Sequence, residues 1–166
     1  RRMLVDTDMR KPRLHRIFNV RNVGGLSGYL TSKVPFDKAV QQTSIENIWL
    51  VPSGPVPPNP AELLNSKKMQ VMMDELKKGF DVILIDTPPL QAVIDPVIAA
   101  SMADATVLIV KAGETPEKPF LQSVEDLQRG QSRIMGVVFN ELKLERGGAY
   151  YYSGYKYKYG RYAKYE

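Results

Sequence analysis

An unbroken run of four aliphatic residues, Val82 to Ile85, constrains the fold more than any other part of this chain. Three of the four are β-branched. A strand with apolar residues on both of its faces is typical of a parallel sheet that is covered on both sides. Shorter apolar stretches alternate along the chain with segments of helical character. This alternation predicts an α/β domain built on a parallel sheet with helices on both faces.

The remaining elements are predicted from apolar patterns and from residues that begin or end helices. A glycine-rich loop at residues 24–28 suggests Ser27 as the N-cap of a short helix. Asn59 and Pro60 mark the start of a long helix that Gly79 ends. Further helices are predicted near 96–102 and 116–128, and further strands at 3–5, 47–51, 105–110 and 134–139.

The composition predicts one soluble globular domain, with 166 residues, a hydrophobic fraction of 43% and a charged fraction of 25%. The chain has no cysteine for a disulfide framework. It also has no apolar run of about eighteen residues, the length that a membrane-spanning helix needs. These observations favour the cytoplasm. Because a strand is predicted to be under way by Met3, we expect the chain to begin inside a domain.

The C-terminal segment differs from the rest of the chain. No pattern of aliphatic residues there gives an aromatic ring anything to pack against. We therefore predict a domain over residues 1–145 and a disordered tail over 146–166. Exposed phenols in a flexible tail suit the substrate of a tyrosine kinase, and a basic-aromatic arm that binds nucleic acid or polysaccharide is the alternative. Eight of the nine tyrosines lie in the last seventeen residues: Tyr150, Tyr151, Tyr152, Tyr155, Tyr157, Tyr159, Tyr162 and Tyr165.

The positive charge is concentrated in the same segment. From Lys143 onward six basic and two acidic residues give a net charge of +4, which leaves +1 of the chain's +5 for the domain. The domain itself has no signature of nucleic-acid binding, and we expect no nucleic-acid partner.

Carboxylates follow two of the predicted strands. Asp6 and Asp8 follow the first strand, and Asp86 follows the apolar run. Ligands of an open parallel sheet bind at the carboxyl ends of its strands, where such carboxylates converge and can hold Mg²⁺ through oxygen ligands and waters. A single aspartate in this position is more often a helix cap or a turn residue, but two strands that both end in Asp favour a nucleotide–metal site.

Three further residues have two interpretations each. Arg10 can contact a phosphate, or it can pair with Asp8 or Asp6. Asn140 ends the last predicted strand and can read the edge of a base, or it simply closes the strand. His15, the only histidine, is expected at the surface.

One motif is absent. A P-loop has the pattern G-x-x-x-x-G-K-S/T, whose backbone N–H groups and lysine hold phosphates. No stretch of the chain has this pattern.

Taken together, these motifs resemble those of bacterial tyrosine kinases, the family coupled to capsule and exopolysaccharide assembly. LVDTDMRKP at 4–12 is similar to their Walker A′ motif, and VILIDTPP at 82–89 to their Walker B motif. GLSGYL at 25–30, LVPSGPVPPNPAELL at 50–64 and GVVFN at 136–140 resemble further family segments, and the tyrosine cluster completes the order. The resemblance implies a P-loop NTPase-like domain, related to division and partition ATPases, that lacks its Walker A portion.

The resemblance also implies roles for the residues above. Asp6 and Asp86 would serve Mg²⁺ through its waters, and Asp8 or Asp6 would accept the proton of the tyrosine hydroxyl. Arg10 would contact phosphate, and Asn140 would contact the adenine of ATP. The tail tyrosines would be phosphorylated in trans by neighbouring subunits of a homo-oligomeric ring.

The implied partners are a membrane-spanning polysaccharide co-polymerase, fused or separate, and a tyrosine phosphatase. They would place the protein at the inner face of the cell membrane. Without the Walker A loop we expect this chain alone to be inactive and poorly folded. Two alternatives are a partition-type ATPase without a protein substrate and an inactive ring-forming module that a paralogue phosphorylates.

Overall fold

The computed structural model describes residues 1–142, and these contain six strands in two sheets. The tail predicted at residues 146–166, and the domain boundary predicted before it, lie outside the described residues.

The larger sheet has four strands in the order β2-β3-β1-β4. β1 (Arg2–Asp6) lies between β3 (Ile48–Val51) and β4 (Val82–Asp86) and is parallel to both. The two-residue strand β2 (Gln41–Gln42) pairs with β3 in the antiparallel sense at the outer edge. Three parallel strands therefore bring their carboxyl ends to the same side of the sheet.

One face of this sheet packs against helix α5 (Lys67–Gly79). The buried residues Met69, Met72, Met73 and Leu76 recur at the spacing that forms one apolar stripe on a helix. They meet the alternate strand residues that include Met3 and Val5. Helix α2 (Gly25–Leu30) extends the same core with Leu26, Tyr29 and Leu30.

The smaller sheet pairs β5 (Thr106–Lys111) with β6 (Ile134–Asn140) in parallel, and α7 (Glu117–Arg129) connects the two strands. Its core is the small cluster of Ala100, Leu108 and Leu127. Helix α6 (Asp95–Ser101) joins the two regions, because Ala100 belongs to this cluster while Ile98 packs on the larger one.

The predicted fold class, α/β with parallel strands, is confirmed, but the strands form two sheets instead of one. β4 is an edge strand of the larger sheet and β5 is an edge strand of the smaller one. Each of these two edge strands has one apolar face that is exposed to solvent. The exposed fractions are 45% for Val82 and 54% for Leu84 on β4, and 42% for Val107 and 70% for Ile109 on β5.

The long helix expected from Pro60 to Gly79 is two helices, α4 (Pro60–Leu64) and α5, because the Ser66 hydroxyl accepts a hydrogen bond from the backbone N–H of Met69 and begins a new helix. Asn59 is the N-cap residue of α4, as predicted, but its side chain donates to the Glu62 carboxylate and accepts no backbone N–H.

Ser27 lies inside α2, whose N-cap is Gly24, so the predicted serine cap is also wrong. The Ser27 hydroxyl instead donates to the carbonyl of Pro55. Residues 1–142 also form two short helices, α1 (Leu14–Ile17) and α3 (Phe36–Ala39), of which α3 was not predicted.

Candidate active site

The pairing of β1 with β4 places Asp6 and Asp86 side by side. The register runs from Arg2 beside Val82 to Asp6 beside Asp86, so both strands end in a carboxylate at the same level. Thr7 fixes this junction, since its backbone N–H and its hydroxyl both donate to the carbonyl of Asp86, at 2.9 and 2.6 Å. The predicted convergence of these two carboxylates is therefore a feature of the structure.

Asp6 is fully buried at the end of the central strand. One carboxylate oxygen accepts the N–H of Asp8 at 3.2 Å, and the other accepts the N–H of Leu14 at 3.3 Å. Burial, followed by the neighbouring charge of Asp86, raises the pKa of Asp6 to about 6. Asp6 thus shapes the loop that follows β1, and among residues 1–142 its carboxylate forms no ion pair.

Asp86 is more open to solvent than Asp6. Partial burial, and then the charge of Asp8, raises the pKa of its carboxyl group. Pro88 and Pro89 follow, and no helix forms until Asp95, so the strand ends at the carboxylate.

Asp8 organises the turn between β1 and α1. Its Oδ1 accepts the backbone N–H of Arg10 at 3.1 Å and that of Lys11 at 2.9 Å. Asp8 is half-buried and, within residues 1–142, its Oδ2 accepts no hydrogen bond. That oxygen remains available to a ligand.

Arg10 pairs with a residue that the sequence analysis did not single out. Its Nε donates to Asp95 Oδ2 at 2.9 Å and its Nη2 donates to Asp95 Oδ1 at 3.2 Å, a bidentate ion pair. Asp95 is fully buried, whereas the Arg10 side chain is 43% exposed. The hydrogen bond to Asp95 raises the pKa of Arg10.

The pairing of Arg10 with Asp8 or Asp6 that was one of the two sequence interpretations does not occur. The only signal for Asp95 was its position before a proline at a helix start, where an acidic residue suits the helix dipole. Nothing in that signal pointed to an arginine 85 positions away.

Asn140 ends β6 and lies beside Lys111 in the smaller sheet. Its side-chain oxygen accepts the N–H of Glu141 at 3.0 Å, and the residue is exposed. It makes no hydrogen bond to the carboxylates at the end of β1 and β4. The eight tail tyrosines lie outside the described residues.

The start of α2 makes a close contact with residues 52–54, which follow β3, and this contact depends on glycine. Leu26 and Ser27 donate their N–H groups to the carbonyls of Pro52 and Ser53, at 2.7 and 2.9 Å. A Cβ at Gly25 would lie 2.3 Å from the Pro52 oxygen, and Gly54 is equally crowded, so only glycine fits both positions. The signal for this contact was the pair of glycine-rich motifs, and the sequence analysis did not connect them.

The donor set suits a hydrated divalent cation better than a directly ligated one. Among residues 1–142 no three carboxylate or histidine side chains converge closely enough to ligate one ion themselves. Asp6 and Asp86 nevertheless lie side by side, and a cation bound through waters would stabilise the ionised forms of both, which burial first and neighbouring carboxylates second disfavour.

Known proteins that are similar in sequence identify the family of this chain. The tyrosine-protein kinase YwqD of Bacillus subtilis (strain 168) is 37% identical over 93% of this chain and 65% of its own length. The tyrosine-protein kinase CpsD of Streptococcus pneumoniae is 34% identical over 92% of this chain and 68% of its own length. The chain belongs to the bacterial tyrosine-protein kinases. The resemblance carried by the motifs is thereby confirmed, although no family model matches the chain.

Solved structures agree with this family. The kinase domain of the Escherichia coli tyrosine kinase ETK superimposes with a TM-score of 0.85 at 29% identity, covering 90% of this chain and 59% of that one. The septum site-determining protein MinD of Pyrococcus horikoshii, at 20% identity, has a TM-score of 0.71 over 87% of this chain and 59% of its own. The second likeness shows the fold alone.

This member of the family spans about two thirds of the length of the first curated relatives, 65% and 66%. None of the helices among residues 1–142 has the length and apolar character that crossing a membrane requires.

Proposed function

We propose that the chain is part of an ATP-dependent protein-tyrosine autokinase whose subunits phosphorylate the tyrosines of the C-terminal tail in trans. The observation that carries the proposal is the pair of carboxylates at the adjacent ends of β1 and β4, in a chain of the tyrosine-kinase family. Phosphoryl transfer depends on positioning and on neutralising charge more than on covalent chemistry, and these carboxylates would contribute to both by holding a hydrated Mg²⁺.

Asp8 is better placed than Asp6 to accept the proton of the attacking tyrosine hydroxyl. Both oxygens of Asp6 already accept backbone N–H groups, and the residue is fully buried. Asp8 is half-buried, and its Oδ2 has no donor within residues 1–142. A tyrosine with an ordinary pKa of about 10 needs such a carboxylate nearby in order to attack.

Arg10 is proposed to contact a phosphate with the N–H groups that Asp95 leaves free. Arginine has five N–H donors, and the bidentate pair uses only two nitrogens, Nε and Nη2. The buried carboxylate holds the guanidinium in one orientation, so less side-chain freedom is lost when an anion binds. Asn140 is proposed to contact the adenine ring.

Asp6 and Asp86 are proposed to hold Mg²⁺ through its waters. The ion, when bound, neutralises charge on the phosphates of ATP. The chain has no G-x-x-x-x-G-K-S/T loop to cradle those phosphates, so we propose that this chain alone does not transfer a phosphoryl group and that the activity needs such a loop from elsewhere in the protein.

The resemblance to the family extends the proposal to assembly. Subunits would form a homo-oligomeric ring in which each phosphorylates a neighbour's tail, at the inner face of the cell membrane. The partners would be a membrane-spanning polysaccharide co-polymerase and a tyrosine phosphatase, and the cycle of phosphorylation would regulate the polymerisation and export of capsular polysaccharide or exopolysaccharide.

The test compares this chain with a form extended upstream in its reading frame, each incubated with Mg-ATP. We expect phosphotyrosine in the tail of the extended form only, mapped by mass spectrometry. Asp86→Asn should abolish it, because the carboxylate beside Asp6 is lost. The matched control is Asp104→Asn, which removes the same charge at a position remote in sequence from Asp6 and Asp86. It should leave phosphorylation unchanged.

ATP hydrolysis without phosphotyrosine in the extended form would contradict the kinase proposal and favour a partition-type ATPase. Phosphotyrosine that appears only when an intact paralogue is added would instead favour a module phosphorylated in trans by another protein.

A further inference from the structure

The segment that follows Arg10 carries a second concentration of positive charge, distinct from the tail. Residues 11–21, called here the basic loop, contain no acidic residue. Its four cations are Lys11, Arg13, Arg16 and Arg21. The candidate site accounts for Arg10 and leaves these four without a role.

The basic loop is folded and anchored. Arg13 precedes α1, the chain turns at Asn19 with a φ of 50°, and the N–H of Val20 then donates back to the carbonyl of His15 at 2.9 Å. This hydrogen bond folds the end of the segment back onto α1. The four cations therefore lie on one short, folded segment.

Both ends of the loop are tied to the candidate site and its support. Near the first end, the N–H of Leu14 donates to a carboxylate oxygen of Asp6 at 3.3 Å. Beyond the second end, Asn22 makes two hydrogen bonds with Gly54, at 3.1 and 2.8 Å. The cations therefore stand beside the proposed site of phosphoryl transfer and keep their position relative to it.

All four cations are exposed, and within residues 1–142 none of them is in an ion pair. Arg10 is the contrast, because its charge is matched by the buried carboxylate of Asp95. An unmatched cationic surface next to a site that handles phosphate is suited to a polyanionic ligand.

We propose that the basic loop binds the phosphorylated form of the tyrosine-rich tail, from the same chain or from a second copy. The tail has a net charge of +4 before modification and is repelled by the loop. Each phosphate adds about −1.5 to −2, so phosphorylation of three or more tyrosines reverses the sign and supplies clustered acceptors for the arginines.

The tail is favoured over an anionic lipid surface as the ligand for two reasons. It is covalently linked to the same chain, or held in the same assembly, which gives a high effective concentration. It also changes sign when it is modified, so the contact forms only after the reaction. The loop then retains the product beside the site and slows the arrival of the next unmodified tail.

The inference rests on the proposed kinase function only for the origin of the phosphates. Binding is therefore tested with a synthetic, fluorescently labelled peptide of residues 146–166, phosphorylated at Tyr155, Tyr157, Tyr159 and Tyr162, against the whole chain. The unphosphorylated peptide is the reference. We expect the phosphopeptide to bind at least about tenfold more tightly by fluorescence anisotropy, with an affinity that falls as salt is raised.

The decisive variant replaces Lys11, Arg13 and Arg16 by glutamine. It should weaken binding of the phosphopeptide by about tenfold, since each exposed charge pair contributes about two- to threefold. The control replaces three exposed cations on other helices, Lys67, Lys77 and Lys118, by glutamine and removes the same charge. We expect the control to stay within about twofold of the unchanged chain.

Equal binding of the two peptides, or an equal loss in both variants, would overturn the proposal. Vesicles containing phosphatidylserine provide the third arm. If they bind the chain through the same three cations and the phosphopeptide does not displace them, the loop is a membrane contact and the proposal is wrong. Displacement by the phosphopeptide supports it. A failure of the kinase assay leaves these results intact.

Discussion

The four-stranded and two-stranded sheets are built from similar apolar strands, but they differ in the size of the core that packs against them. Thirteen buried residues form the cluster against the larger sheet, and three form the cluster against the smaller one. The β1 strand at the centre of the larger sheet has neighbours on both sides, whereas β4 and β5 each have a neighbour on one side only.

The edge strands of both sheets have one packed face and one face that is exposed to solvent. The residues of β4 that face the core, Ile83 and Ile85, pack in the large cluster, while Leu84 between them is open to solvent. β5 repeats this arrangement, with Leu108 packed and Ile109 open. Two edge strands with matching apolar faces indicate that the stable fold places further structure against both, since parallel strands are normally covered on both faces.

The largest effect should come from supplying that structure. Covering the half-exposed Val82, Leu84, Val107 and Ile109 would contribute about 1 kcal/mol each, or about 4 kcal/mol together. We expect the form extended upstream to unfold cooperatively, about 10 °C or more above any transition of this chain alone. Thermal unfolding followed by circular dichroism measures the difference.

A matched substitution makes this test specific to the open faces. Leu84→Gln should change little in this chain alone, because the side chain is 54% exposed, and should cost about 2 kcal/mol in the extended form. A cooperative transition of the isolated chain with no gain on extension would contradict the comparison.

The next effect compares the two cores directly. Leu76→Ala in the large cluster should lower the free energy of unfolding by about 4 kcal/mol, because the surrounding residues are fixed and leave a cavity. Leu127→Ala, equally buried, should cost only about 2 kcal/mol, because the few residues around it can close in. Urea unfolding of the extended form gives both values, and equal losses would show that the smaller core is as rigid as the larger one.

Local patterns were enough to predict every strand of three or more residues among residues 1–142. The apolar run at β4 and the shorter stretches at β1, β3, β5 and β6 appear within about a residue of their predicted limits. The two-residue β2 and the short helix α3 were missed because their contacts with β3 and α2, rather than apolar periodicity, hold them. The break at Ser66 was missed because a capping serine inside an apolar pattern competes with a continuous helix.

The convergence of Asp6 and Asp86 was predictable because parallel strands bring their carboxyl ends to one edge. The partner of Arg10 was not. Asp95 is distant in sequence, and only the folded position of α6 relative to the loop after β1 brings the two together. The role of Asn140 stays a prediction, as do the roles of Asp8 and of the tail tyrosines.

The smallest effect concerns the pH dependence of the free energy of unfolding, which distinguishes a charge in the larger sheet, Asp6, from one in the smaller sheet. The pKa of Asp6 in the folded state, about 6, lies above the ordinary value of 3.8. Ionisation therefore opposes folding: the cost is absent below about pH 4, grows as the pH rises, and approaches about 3 kcal/mol above pH 6. Asp6→Asn removes this titration but also loses one of the two oxygens that accept backbone N–H groups, so its stability relative to the extended form should rise by about 3 kcal/mol between pH 4 and pH 7.5, measured without divalent cations.

Lys111, at the end of β5, is the counterpart in the smaller sheet. It pairs with Glu114 and Glu141 at 2.9 and 3.0 Å, and all three side chains are exposed. Hydrogen bonds to both glutamates raise the pKa of Lys111, which is charged throughout this range of pH. Because exposed pairs contribute little, Lys111→Gln should leave the pH profile unchanged. If Lys111→Gln flattened the profile and Asp6→Asn did not, the pH dependence would come from the smaller sheet, and its assignment to Asp6 at the end of β1 would fail.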